Sequence, residues 1–143
     1  MKQVTIWFDR AFNLHTENVC CENSFALSRF KKGDSNVLFK ASATIDGNVL
    51  LLTHTHVTYF GACAVYCGNC SSATARKYFF KKYIRLIEEK IKAYVKGKNY
   101  RSNIDFRIRV GSTTSDLFSE FGYKHVATNS EGWNTYWIMS RVI

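Results

Sequence analysis

Two hydrophobic periods meet in the second half of this chain, and their junction restricts the fold more than any other feature. From about Thr74 to Lys96 the apolar residues Phe80, Ile84, Ile87, Ile91 and Val95 recur at helical spacing. From Asp105 to Val110, apolar and charged residues alternate instead. The first pattern predicts a helix with one buried stripe, the second a strand with one buried face. Gly97 stops the helix, and Lys92 and Lys96 suit the negative end of its dipole. A long helix that leads into a strand belongs to a sheet with helices laid on it.

The remaining signals extend that reading. Ser115 to Phe121 predicts a short helix, Gly122 to Val126 a turn into a strand, and Thr135 to Ile143 a closing strand. Lys2 to Phe8 reads as a first strand. Residues 16–31 carry helical spacing, with Thr16 as N-cap and Gly33 as stop. Asn36 to Ile45 and Asn48 to Val57 are strands joined at Asp46-Gly47, a strong hairpin signal. Tyr59 to Tyr66 is a further β run, either separate or continuous with the preceding strand. The expected architecture is α/β: one domain over 1–143, a mixed sheet with helices packed on it.

Charge is uneven. The chain has a formal net charge of +9 over 143 residues. Residues 76–101 hold ten basic side chains against two acids, Glu88 and Glu89. Lys81, Arg85, Lys92 and Lys96 fall opposite the apolar stripe. Such a face either meets a polyanion, nucleic acid or an acidic protein, or is simply solvated. No apolar run reaches the ~18 residues of a membrane span. Charge enters too early after Met1 for a signal peptide, and five cysteines are an odd number, so a cytoplasmic, reduced protein is expected.

Several groups can carry chemistry. Cys67, Gly68, Asn69, Cys70, Ser71, Ser72, Ala73 and Thr74 lead into the long helix, whose N-terminus favours phosphate; Arg76 and Lys77 add charge in its first turn. An ordinary capped helix is the plainer account. His54 and His56 share one face of a regular strand and suit base or metal chemistry, or a solvated face. Cys63, Cys67 and Cys70, with His54, His56, Cys20 or Cys21, leave zinc open beside free thiols; no metal is assigned. The hydroxyls of Ser112 to Ser115 either cap the short helix or meet a ligand. Trp133, in a polar loop, is the best candidate for an exposed aromatic contact.

The order of elements after residue 60, with Leu117-Phe118-Ser119-Glu120-Phe121-Gly122-Tyr123, resembles the C-terminal half of the GNAT-type N-acyltransferase superfamily and its Leu-Tyr-x-x-x-Gly-Phe signature. The resemblance implies an acyl-CoA donor between splayed strands near Tyr59–Tyr66 and Asp105–Val110, with its phosphates at Cys67 to Thr74 and Arg76. It implies an acceptor amine near His54, Tyr59, Ser112 and Trp133, deprotonated by His56, Glu120 or a water. Phe118 stands where the family places a tyrosine acid, and Gly68 is the only glycine of the phosphate loop. The resemblance therefore leaves two readings: an acyltransferase acting on nucleic acid or a protein lysine, and a non-catalytic protein of the same fold that engages a partner through residues 76–101.

Overall fold

The computed structural model describes residues 2–18, 37–57, 73–97 and 103–143. Among these described residues, seven strands and two helices follow one another as β1 (Lys2–Asp9), β2 (Leu14–Asn18), β3 (Val37–Asp46), β4 (Val49–Val57), α1 (Ala73–Lys96), β5 (Asp105–Val110), α2 (Ser112–Glu120), β6 (Lys124–Glu131) and β7 (Asn134–Val142). They form one sheet in the order β2-β1-β3-β4-β5-β7-β6. Neighbours run antiparallel except β4 and β5. The expected class, a mixed α/β sheet with helices packed on it, is the one formed.

The expected stripe Phe80, Ile84, Ile87, Ile91 and Val95 is buried along its whole length. It lies among the inward residues of the sheet, including Phe39, Leu52, Phe106 and Ile108. Phe39 stacks on Phe79 at 5.4 Å and meets Phe80 edge-on at 5.7 Å. These rings fix the N-terminal half of α1 against β3.

The β3–β4 and β6–β7 hairpins follow from glycine. Asp46 pairs with Val49 and Glu131 with Asn134, so each loop has two residues. Gly47 (φ 60°) and Gly132 (φ 61°) each take the first loop position, while Asn48 and Trp133 keep negative φ. One positive φ at the first central residue is the requirement of a II′ turn.

The signature around α2 is a helix stop with a physical cause. Gly122 adopts φ 90° just past the helix. Its N–H donates to the Ser119 carbonyl at 3.1 Å, and the Tyr123 N–H donates to the Phe118 carbonyl at 3.0 Å. That pair of bonds is the Schellman arrangement, which favours an apolar contact between the residues at its two ends. Tyr123 and Phe118 supply it, edge-on with ring centroids 5.0 Å apart. Phe118 also packs against Phe80 at 5.2 Å and is 1% exposed. The position read as a lost acid is a core position here.

Two expectations need correction. Thr16 is not an N-cap: residues 16–18 are strand, in β2, with Thr16 opposite Ile6. The cause is the turn before it. The Asp9 carboxylate accepts the backbone N–H groups of Ala11 (2.9 Å) and Asn13 (3.0 Å), which folds β2 back onto β1. The rest of the predicted 16–31 helix lies outside the described residues, as does the Tyr59–Tyr66 run. The short helix starts at Ser112 rather than Ser115, with Gly111 as N-cap and no side-chain cap bond. The hydroxyls of Ser112, Thr113 and Ser115 therefore do not cap it; Ser115 Oγ instead donates to the Ser112 carbonyl at 2.8 Å.

Candidate functional site

The site begins where β4 and β5 part. Their parallel pairing runs from Val49–Asp105 to Leu52–Ile108 and then ends, though β4 continues to Val57 and β5 to Val110. A bulge accompanies the parting. Ser42 of β3 faces Thr53 and Lys40 faces His56, so His54 and Thr55 share the single place opposite Ala41. His54 takes φ 52° there, a left-handed conformation that costs an L-residue about 1–2 kcal/mol. Bulges of this kind re-aim side chains.

Between the parted strands lies a cleft of about 130 Å³, lined by His54, Thr55, Arg76, Phe80, Arg109, Val110, Gly111, Thr114 and Tyr136. It sits at the C-terminal ends of the two parallel strands, where open α/β sheets place ligands. Arg76 reaches it from the first turn of α1. Gly111 and Thr114 bring the N-terminal turn of α2, whose first N–H groups have no helical partner.

A charged chain crosses the mouth. Arg109 Nη1 donates to Glu131 Oε2 at 2.8 Å and to Asn129 Oδ1 at 3.3 Å. Its guanidinium lies over the Tyr136 ring, 4.5 Å from the centroid. Glu131 Oε1 is 3.8 Å from His54 Nε2, and His54 Nδ1 is 3.1 Å from Thr53 Oγ1. The bond from Arg109 chiefly holds the Glu131 carboxyl below its ordinary pKa, with the charge of Arg109 and then His54 adding to it. Arg76 has no carboxylate partner among the described residues. Arg109 is thus neutralised by Glu131, and among the described residues Arg76 is the cleft cation without a paired carboxylate.

The bulge separates the two histidines expected on one face. His54 lines the cleft. His56 pairs with Lys40 on the other side of the bulge and is half-buried. Burial first, then the charges of Lys40 and Arg76, push its pKa below the ordinary histidine value, so its imidazole is neutral at pH 7. Glu120 is exposed at the C-terminal end of α2, and neither it nor His56 lines the cleft. Ser112 is exposed beside Gly111. Trp133 stands wholly in solvent at the β6–β7 hairpin tip, two residues from Glu131. Ala73 and Thr74 belong to the first turn of α1. Tyr59, Cys67, Gly68, Asn69, Cys70, Ser71 and Ser72 lie outside the described residues, as do Cys20, Cys21 and Cys63.

Sequence reasoning missed Arg109, Glu131 and Tyr136. The available signal was Arg109 itself: a charge that alternates into a half-buried sheet face requires a counter-charge on a neighbouring strand. Arg85 needs the opposite correction, since it is not a free surface cation. It pairs with Glu88 at 3.0 Å and donates to the Phe121 carbonyl at 2.8 Å. Among the described residues no helix is long and apolar enough to cross a membrane. Compared with protein-family models, with curated proteins and with solved structures, the chain finds no match in any of the three.

Proposed function

We propose that the chain is a GNAT-like N-acyltransferase that takes an acyl group from a CoA thioester in the β4–β5 cleft and passes it to an amine. The observation that carries this reading is the parting of the two parallel strands after Leu52 and Ile108 while both continue. The lining fits the thioester end of such a donor. It offers a slot between strands, the N-terminal turn of α2 for a carbonyl oxygen that gains negative charge, and Arg76 for an anionic portion. In the reaction a C–N bond forms, the C–S bond breaks, and the amine proton passes to a base while the thiolate leaves. His54 replaces His56 and Glu120 as the candidate base, because it faces the cleft with Glu131 Oε1 3.8 Å from its Nε2. The buried Phe118 supplies no acid, so the thiolate takes its proton from water.

Calorimetric titration with acetyl-CoA, paired with thiol release over a panel of amines, tests the reading. Binding that Arg76→Glu weakens at least tenfold, with turnover that His54→Gln lowers while binding persists, is the expected result. No binding at millimolar donor would sink it.

A second reading has its own support. Phe118 is packed in the core, and two expected catalytic groups lie away from the cleft. Both fit a protein of this fold that binds without catalysis and meets its partner through the exposed basic face of α1. Donor binding with no thiol release from any amine would favour it.

A further inference from the structure

We infer that the exposed face of α1, together with Trp133, is a docking track for single-stranded nucleic acid. The inference rests on the second reading's use of α1 as a contact face and names its partner; acyl transfer is not required for it. Lys77, Lys81, Lys92 and Lys96 are exposed and have no ion-pair partner among the described residues. At ~3.6 residues per turn they fall within an arc of roughly 100°, and at ~1.5 Å per residue they span about 28 Å along the helix. The acids that would quench this stripe are mostly occupied or few. Glu88 is turned inward, bonded to Tyr123 and paired with Arg141 and Arg85. Glu89 is the one exposed acid of α1. The stripe therefore presents a row of unneutralised ammonium groups, the complement of a phosphodiester backbone.

Aromatic groups select the single strand over the duplex. Trp133 is 103% exposed, and Tyr78 on α1 is 59% exposed. A fully solvated indole at a two-residue hairpin tip contributes nothing to the core, and its faces are open to an unpaired base. The hairpin also touches the mouth that α1 enters: Glu131, two residues from Trp133, approaches His54, and His54 shares the cleft lining with Arg76. Lys77, next to Arg76, thus starts the track at the mouth that carries the indole, and Lys81, Lys92 and Lys96 continue it away from the mouth along the helix.

The test is fluorescence anisotropy of a labelled oligo-dT, measured from 50 to 300 mM salt, against a duplex of equal length and against polyglutamate. The expected result is preference for oligo-dT, with log affinity falling by roughly 0.7 per phosphate neutralised for each unit of log salt. Lys81→Gln with Lys92→Gln should flatten that slope by about 1–2 units, and Trp133→Ala should weaken binding roughly 5- to 150-fold. Circular dichroism should show both variants folded, since all three side chains are exposed. Undetectable oligo-dT binding at 50 mM salt overturns the inference. So does a slope the lysine variants leave unchanged, or polyglutamate bound as well as oligo-dT with Trp133 silent, which would assign the face to an acidic protein. Oligo-dT binding without any affinity for a CoA thioester would remove the acyltransferase reading and leave this one standing.

Discussion

Removing the carboxylate of Glu88 should destabilise the fold by about 2–3 kcal/mol, and the bonds around it give that magnitude. Its side chain is 7% exposed. It accepts the Tyr123 hydroxyl at 2.5 Å, Arg141 Nη1 at 2.7 Å and Arg85 Nη1 at 3.0 Å. The phenol is the costly partner. It is buried, and burial, then the bond to Glu88, holds its pKa far above the ordinary tyrosine value. Left without an acceptor, a buried hydroxyl costs ~1–3 kcal/mol. The two guanidiniums cost less, because Arg141 is 34% and Arg85 50% exposed and both can turn to water. Each such pair contributes at most ~1 kcal/mol. A fully buried pair would cost ~3–5 kcal/mol to break, so the figure is discounted from that. Tyr123→Phe removes only the donor and leaves Glu88 its two cations, a loss of ~1 kcal/mol. Urea denaturation of Glu88→Ala, Tyr123→Phe and the double variant measures all three terms. The double variant should cost less than the sum of the singles by ~1 kcal/mol or more. Additive effects, or a Glu88→Ala loss below ~0.5 kcal/mol, would refute the argument.

Three further outcomes follow from particular residues. Phe118→Tyr, which restores the tyrosine of the resembled signature, should lower stability by ~1–3 kcal/mol in the same denaturation assay and bring no gain in turnover, because it pushes a hydroxyl into apolar packing against Phe80 and Tyr123. Asp9 has its pKa lowered from 3.8 to about 2, chiefly by its bond to His15 and then by backbone N–H groups. The unfolded chain thus binds the proton more readily, so this contribution to stability is complete above about pH 4 and is lost as pH falls through about 2. Acid unfolding curves should show Asp9→Asn with a shallower loss across that window. His54→Gly should raise the melting temperature slightly or leave it unchanged, since glycine accepts φ 52° without strain, while it removes the proposed base; a stability loss above ~1 kcal/mol would mean that the bulge is held by the imidazole.

Much of the scaffold was legible because its signals are local. The stripe from Phe80 to Val95 and the alternation from Asp105 to Val110 each state their own period, and the structure keeps β5 at those bounds. Gly47 states its turn, and Gly122 states the end of α2. What escaped depends on contacts between distant segments. β2 replaced the start of a predicted helix because an Asp9 side chain, not a glycine or proline, builds the turn before it. The bulge at His54 carries no sequence mark, because glycine is the residue expected in that conformation. The slot was expected between Tyr59–Tyr66 and Asp105–Val110, whereas the described cleft opens between β4 and β5; its charged chain depends on topology, since Arg109 of β5 and Glu131 of β6 meet across the intervening β7. Pairing rules for alternating strands predict a partner for Arg109, though not which acid fills the role.

The most direct measurement of the central claim is a titration of isotope-labelled protein with acetyl-CoA, followed by amide chemical shifts in two-dimensional NMR. Saturable shifts concentrated at Thr55, Val110, Gly111 and Thr114, around the parted ends of β4 and β5, are expected, with Arg76→Glu abolishing them. Saturable shifts confined to other parts of the sheet, or none at millimolar donor, would contradict the assignment of the cleft as the acyl-donor site.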